Sequence, residues 1–323
     1  MAFHPLKHCL LAASLALTGL PAAAQSDFPN RPVKVIVSLP PGSGADTTAR
    51  FISQHLSEKF KQPFVVENRP GANSFIGARA VAEAAPDGYT LFVGSNSSMV
   101  TNVAVFRSMP YDPVKDFVPV ERIARFAMVV VVPASSPYKT LDNLVEAARK
   151  APGRLNYASG SAGYQVAVEL FHERFRIKGN PITYKGTAPA MTDVAAGNVD
   201  YSIGEISSVL PLIRAGRLRA LAVTDTRRLK ELPQVPTVAE SGASGFEVFA
   251  WTGVFAPAKV PERIVKALSD AVRETMQQRD SVKFIENLGG SVFSGGPQQL
   301  RQFQLAEIQR TREIVKTAGI PVE

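Results

Sequence analysis

Residues 40–46, Pro-Pro-Gly-Ser-Gly-Ala-Asp, hold residue types that could grip a small anion. Gly42 and Gly44 let a turn expose its backbone N–H groups. Ser43 or Asp46 can cap the helix pattern that follows, since either side chain can accept from an orphaned first-turn amide. Amides beside the positive end of a helix dipole suit a carboxylate or phosphate. Two enzyme chemistries compete with that reading. Gly42-x-Gly44 followed by Thr47 is an incomplete dinucleotide fingerprint, although Glu67 closes the next strand-like run about where a ribose-binding acid would sit. A hydrolase would need a nucleophile beside a histidine, and neither G-x-S-x-G nor such a pair is present. Many strand–turn–helix units bind nothing.

These residues need a strand behind them and a helix ahead. Val33, Val35, Ile36, Val37 and Leu39 form a short run rich in β-branched residues, which fits one buried strand. Ala49, Ile52, Leu56 and Phe60 recur at three- and four-residue spacing and share one helix face. The design then repeats. Phe64–Glu67 reads as a strand, and Ser74–Ala85 as a helix with Ile76, Ala80, Val81 and Ala84 inward. Tyr89–Val93 reads as a strand ending in Gly94-Ser95-Asn96-Ser97-Ser98. Strands alternating with helices predict a parallel sheet whose ligands gather beyond the carboxyl ends of its strands. Short hydroxyl and amide side chains there suit a small polar ligand, and each could equally be a cap or turn former.

A second stretch has its own alternation. Met128–Val132 is a continuous apolar strand, and Leu155–Ser159 leads into Gly160-Ser161-Ala162-Gly163 and a helix over about 164–175. Ile182-Thr183-Tyr184, the run Asp200–Ile203 before Gly204-Glu205, and Leu218–Thr224 read as further strands. Helices are expected at 189–196 and 209–215. This stretch can fold as a second lobe facing the first. Trp251–Pro257 reads as a strand with Trp251 in the core, and amphipathic helices at about 261–278 and 297–318 return to the first lobe.

Composition narrows the class. Residues 1–24 have the form of an export signal: Lys7 in a polar start, an apolar core from Leu10 to Leu20, and Ala22-Ala23-Ala24 for cleavage. A periplasmic location is expected, and no later stretch reaches spanning length without a charge or proline. Cys9 leaves with the signal, so the mature chain has no thiol. Of four histidines only His55 and His172 remain, both expected on solvated or half-buried faces. No metal, cofactor or catalytic triad is expected from them. The formal charge falls from +8 to +7 with loss of Lys7, which can steer anions, but no dense Lys/Arg run points to nucleic acid. Roughly 300 mature residues suggest two lobes in a monomer.

Several strings together resemble one family, the extracytoplasmic receptors of tripartite tricarboxylate transporters, also called Bug proteins. They include RPVKVIV, DTTAR, VVENRPGA, PDGYTLFVG, MPYDPVKDFVPV, YKGTAPAMTDVAAGNVD, PLIRAGRLRALAVT, LPQVPTVAESG and WTGVFAP, in the family's order across nearly all the mature chain. The resemblance implies a type II periplasmic-binding-protein fold: two α/β lobes joined by crossing strands, with a ligand cleft between them. On that basis lobe 1 is expected at 25–126 and 226–323 and lobe 2 at 127–225. It also implies a small carboxylate or amino-acid-like ligand, no catalysis, and delivery to a two-subunit membrane permease. A sensor ectodomain would use the same binding chemistry.

The resemblance places a carboxylate pincer at Pro41, Gly42, Ser43, Gly44, Ala45 and Asp46 and at Ala72, Asn73, Ser74 and Phe75. Asp46 is expected to cap and fix its loop, because a carboxylate facing an anion would repel it. Ser95, Asn96, Ser97, Ser159 and Tyr184 are further cleft candidates by matching position. Three departures stand out. Ser43 replaces a common glycine, and the loop from Gly160 is short, with Gly163, Tyr164 and Gln165 at its end. Ile203-Gly204-Glu205 replaces a frequent Phe-Asp-Asn. Glu205 pointing into the cleft would favour an ammonium, amide or hydroxyl there, and Glu205 turned to solvent would not.

Overall fold

The computed structural model describes residues 28–322. The expected export segment, with Lys7 and Cys9, lies outside the described residues. The chain opens with β1 (Val33–Val37), α1 (Gly44–Phe60), β2 (Phe64–Asn68), α2 (Phe75–Ala82) and β3 (Thr90–Ser95). A π-type turn at Ser97–Thr101 runs into the short α3 (Asn102–Val105). A 17-residue strand, β4 (Phe117–Pro133), follows. Then come α4 (Leu141–Lys150), β5 (Asn156–Ser159), α5 (Ala162–Phe175), β6 (Asn180–Thr183), α6 (Thr187–Ala196), β7 (Tyr201–Glu205), α7 (Ile206–Arg214) and β8 (Leu218–Val223). The chain closes with β9 (Phe249–Pro257), α8 (Glu262–Gln277), α9 (Arg279–Asn287), β10 (Gly290–Gly295) and α10 (Pro297–Thr317).

The strands lie in the order β2-β1-β3-β9-β4-β7-β5-β6, with β8 and β10 also on β4. β1, β2 and β3 are parallel, as are β5, β6 and β7, whereas β9 and β4 run antiparallel to their neighbours. The sheet is therefore mixed rather than purely parallel. β4 ties its two halves together. Its residues 117–127 pair with β9, and 128–133 pair with β7 and β8. Two α/β lobes joined by crossing strands, as the resemblance implies, are thus present.

Sequence reading finds only the second half of β4, and the cause is Glu121. This carboxylate is fully buried, accepting from Gly295 N at 2.6 Å, Ser269 Oγ at 2.8 Å and Arg273 Nη2 at 3.1 Å. A buried acid between register shifts at 119–121 and 122–124 breaks the apolar alternation that marks a strand. The short α9 and β10 also escape it, sitting between the two helices it finds.

α2 is shorter than expected and turned. Gly77, Ala78 and Val81 face inward, while Ile76 is 53% exposed and lies over Gly71. Gly77 sets this face, since a Cβ there would come within 2.9 Å of Ser38 Cβ and 3.0 Å of Arg69 O. Trp251 is buried, as expected. His172 is buried too, not solvated, with Nδ1 on Glu169 at 3.1 Å and Nε2 on the Tyr201 hydroxyl. These partners satisfy both ring nitrogens inside the second core. Val238, Ala243 and Phe246, between β8 and β9, pack into that same core with Tyr157 and Phe171.

Candidate functional site

The segments after the carboxyl ends of β1 and β2 face those after β5 and β6 across the junction of the two lobes, and a cavity of about 570 Å³ lies there. Its polar wall includes Ser38, Asn73, Ser74, Ser159, Ser161, Gln165, Thr183, Tyr184 and Lys185. Leu39, Pro40, Pro70, Val105, Phe106, Ala162, Val166, Ile320 and Pro321 supply apolar surface. Lys185 is the one cationic side chain on this wall among the described residues, and no carboxylate lines it. Such a volume suits a small organic ligand.

One polar edge is a strained turn. Gly71 has φ +118°, and Ala72, Asn73 and Ser74 follow with φ of +44°, +51° and +75°. Three consecutive non-glycine residues in the left-handed region are costly, and such backbone survives where its surroundings over-determine it. Here the buried Asn102 side chain donates to Asn73 O at 2.7 Å, and Ser74 N closes on Gly71 O at 3.0 Å. Successive N–H groups in such a turn form a concave nest for an anion. The Ala72 and Asn73 amides have no acceptor among the described residues. Ser38 Oγ, also on the cavity wall, is likewise buried without a partner.

The turn before α1 is a closed capping network. Ser43 is the N-cap, accepting from Asp46 N at 3.3 Å, and Asp46 Oδ2 accepts from Gly42 N at 2.9 Å. Asp46 Oδ1 accepts from Asn68 Nδ2 at 2.8 Å, and Arg50 closes the set at 3.1 Å. Burial alone would raise the Asp46 pKa, but donors from Gly42, Asn68 and Arg50 outweigh it and hold the carboxyl below its usual range. Gly42 N, Ser43 N and Asp46 N are thus spent inside the loop, Ser43 N on Pro40 O at 3.3 Å. The Gly44 and Ala45 amides are left without an acceptor among the described residues.

What faces them is Glu205 from the other lobe. A Cβ on Gly44 would collide with Glu205 Oε1. Glu205 is 8% exposed, and it accepts from Ser207 Oγ at 2.5 Å and Tyr164 Oη at 3.3 Å. Burial raises its pKa, and the donors from Ser207 and Tyr164 only partly offset that. Glu205 therefore turns neither to solvent nor onto the wall of the cavity. It lies against the first residue of α1 across the lobe junction.

The sequence candidates divide accordingly. Ala72, Asn73, Ser74, Ser159 and Tyr184 line the cavity. Tyr184 Oη is tied to Asp193 at 2.8 Å and Ser159 Oγ donates to Ser161 O at 2.8 Å. Gly42, Ser43, Gly44, Ala45 and Asp46 form the turn behind it, with Pro40 on the wall and Pro41 beside it. Asn96, Ser97 and Gly163 meet where the lobes touch: a Cβ on Gly163 would lie 2.8 Å from Ser97 Oγ, and Ser97 Oγ is 3.4 Å from Ser161 Oγ. Ser95 is buried behind them, with its N–H on Ser98 Oγ at 3.0 Å. Phe75 packs away from the cavity, edge-on to Phe106 and Tyr111. Gly204 lies under Met191 and Val209, and Tyr164 beside Glu205.

Lys185 follows β6, so the rule about strand carboxyl ends could have singled it out. Nothing local marks Val105, Phe106, Ile320 or Pro321. Glu67, the acid of the dinucleotide reading, is ion-paired with Arg69 at 2.6 Å and Lys34 at 3.4 Å. Among the described residues no cluster of His, Cys, Asp or Glu could hold a metal. No described helix is long and apolar enough to cross a membrane.

The family described as the tripartite tricarboxylate transporter family receptor matches residues 48–320. Protein BugT of Bordetella pertussis is 35% identical over 309 residues, covering 94% of this chain and 95% of that protein. The structure of Rpa4515 from R. palustris with adipate superposes with a TM-score of 0.87 at 35% identity, covering 91% of this chain and 99% of that one. MatC (Rpa3494) from Rhodopseudomonas palustris with bound malate gives 0.82 at 33% identity, covering 89% and 100%.

Proposed function

The chain belongs to the tripartite tricarboxylate transporter receptor family, and from that premise we propose that it is a periplasmic solute-binding receptor for a small carboxylate. The observation that carries the proposal is the polarity of the cavity. Free amides at Ala72 and Asn73, an unpartnered Ser38 hydroxyl and the Lys185 ammonium surround a space lined by no acid. Relatives with adipate and with malate support the same ligand class.

The ligand carboxylate sits in the 71–74 nest. Lys185 faces a second polar group, and the apolar wall takes the ligand body. Glu205 faces Gly44 across the lobe junction, off the wall of the cavity. Each charge-assisted hydrogen bond contributes about 1.5–3 kcal/mol, so a few reach the roughly 8 kcal/mol of a micromolar complex after the cost of closure. Binding favours the state in which the lobes meet at Gly44–Glu205 and Ser97–Ser161. Export by residues 1–24 and delivery to a two-subunit permease or a sensor ectodomain complete the proposal.

Thermal melts and calorimetric titration of the mature protein with aliphatic and aromatic mono- and dicarboxylates test this. Saturable binding of at least one acid is expected. Folded protein that binds none of them overturns the reading.

A further inference from the structure

Part of the apolar wall of the cavity is built by a segment far away in sequence from the 71–74 turn. After α10 the chain turns at Gly319 (φ +63°), and Ile320 N folds back onto Val315 O at 3.0 Å. Ile320 then packs into a separate apolar cluster with Val105 and Phe106 of the first lobe and Ala162 and Val166 of α5. Arg107 Nε donates to Val322 O at 3.3 Å and holds the segment against the 105–107 turn. Ile320 and Pro321 both line the cavity. Residues 319–322 thus touch both lobes at the place where the apolar part of a ligand would lie.

We propose that the segment 319–322 sets ligand specificity, with Ile320 as the side chain that limits the length and width of the ligand's apolar body. This rests on the carboxylate-receptor reading and deepens it. The polar groups that hold a carboxylate are the Ala72 and Asn73 amides, Ser38 and Lys185, and they fix that end in the same way for every acid. What differs between acids, the carbon body, extends toward Phe106, Val166 and Ile320. A cavity of about 570 Å³ leaves space beyond a four-carbon acid, which places the preferred class among longer aliphatic or ring-bearing carboxylates. Ile320 also joins the two lobes, so its volume decides whether they can meet around a given body.

The test is calorimetric titration of wild type, Ile320→Ala and Ile320→Trp with succinate, adipate, suberate, benzoate and phenylacetate. For the wild type's preferred longer or ring-bearing acid, Ile320→Trp is expected to lose about tenfold or more in affinity. Succinate binding should change by no more than about twofold. Ile320→Ala is expected to flatten the ranking and shift it toward the bulkiest acids. Unliganded melting temperatures check that the variants fold, and Ile320→Ala alone still decides the matter if the tryptophan variant does not. An unchanged ranking in both variants, or in Ile320→Ala alone, overturns the proposal while leaving the receptor reading intact. Wild type that binds none of the acids overturns both.

Discussion

Gly44 and Glu205 meet across the junction of the two lobes, the first residue of α1 against the last residue of β7, so close that a methyl group on the glycine would strike Oε1. The contact brings a carboxylate of the protein itself to a helix end that also offers free amides. It explains why Gly44 is glycine although its backbone is ordinary helix. It also makes the fit between the lobes sensitive to one hydrogen atom on either partner.

Gly44→Ala is therefore expected to weaken the protein despite alanine's better helix propensity. Overpacking of this kind costs about 1–3 kcal/mol, read as a lower urea midpoint and weaker ligand binding. Combining it with Glu205→Ala should recover most of the loss, because the colliding oxygen is gone. A double variant no better than the sum of the singles would show that the clash is not the cause.

Glu205 should also print a pH dependence on stability. Its folded pKa is raised by burial, so the folded state holds the proton more tightly than the unfolded chain does. Its contribution is then most favourable at low pH and declines as pH rises through the folded value. The melting temperature of wild type relative to Glu205→Gln, which does not titrate, should fall as pH rises from the ordinary glutamate range. A difference that is flat or rising would count against a buried, proton-retaining carboxyl.

Asp46 has the opposite sign. Its folded pKa is lowered, because donors from Gly42, Asn68 and Arg50 outweigh burial. Its stabilisation is present above the unfolded value and lost as pH falls through the folded one. Asp46→Asn should cost about 1–3 kcal/mol near pH 7 and much less near pH 3, by denaturant midpoints at the two values. Equal costs at both would assign the loss to packing alone.

Lys185→Met removes the cation from the cavity wall. Carboxylate affinity should fall about three- to tenfold, with the larger loss at low salt, since an exposed ammonium is screened. Titration at two ionic strengths separates this from a change of shape, which salt would not alter. Unchanged affinity at low salt would remove Lys185 from the site.

Local chemistry made half of this site legible. The β1–turn–α1 unit and the capping roles of Ser43 and Asp46 follow from neighbours a few residues apart, whereas the segment Ala72–Phe75 enters the site only through the family resemblance. What stayed hidden depends on distant partners. β4 is masked by Glu121, whose burial is tolerable only because Arg273, Ser269 and Gly295 arrive from the far end of the chain. The orientation of α2 is set by Gly77 against Ser38, where pattern alone selects Ile76. Ile320 and Pro321 carry no local sign of a cavity, since nothing in their neighbourhood names Val105 or Val166 as company. The sequence leaves Glu205 either solvated or cleft-facing, and only the fold shows what it meets across the gap, the first residue of α1.

β4 has a mechanical consequence. Its seventeen residues, at most roughly 55 Å at the usual rise, run from one half of the molecule into the other. A flexible tether would let the halves wander, whereas a shared strand makes any relative motion of the two pass through Ala127 and Met128, where β4 exchanges one set of neighbours for another.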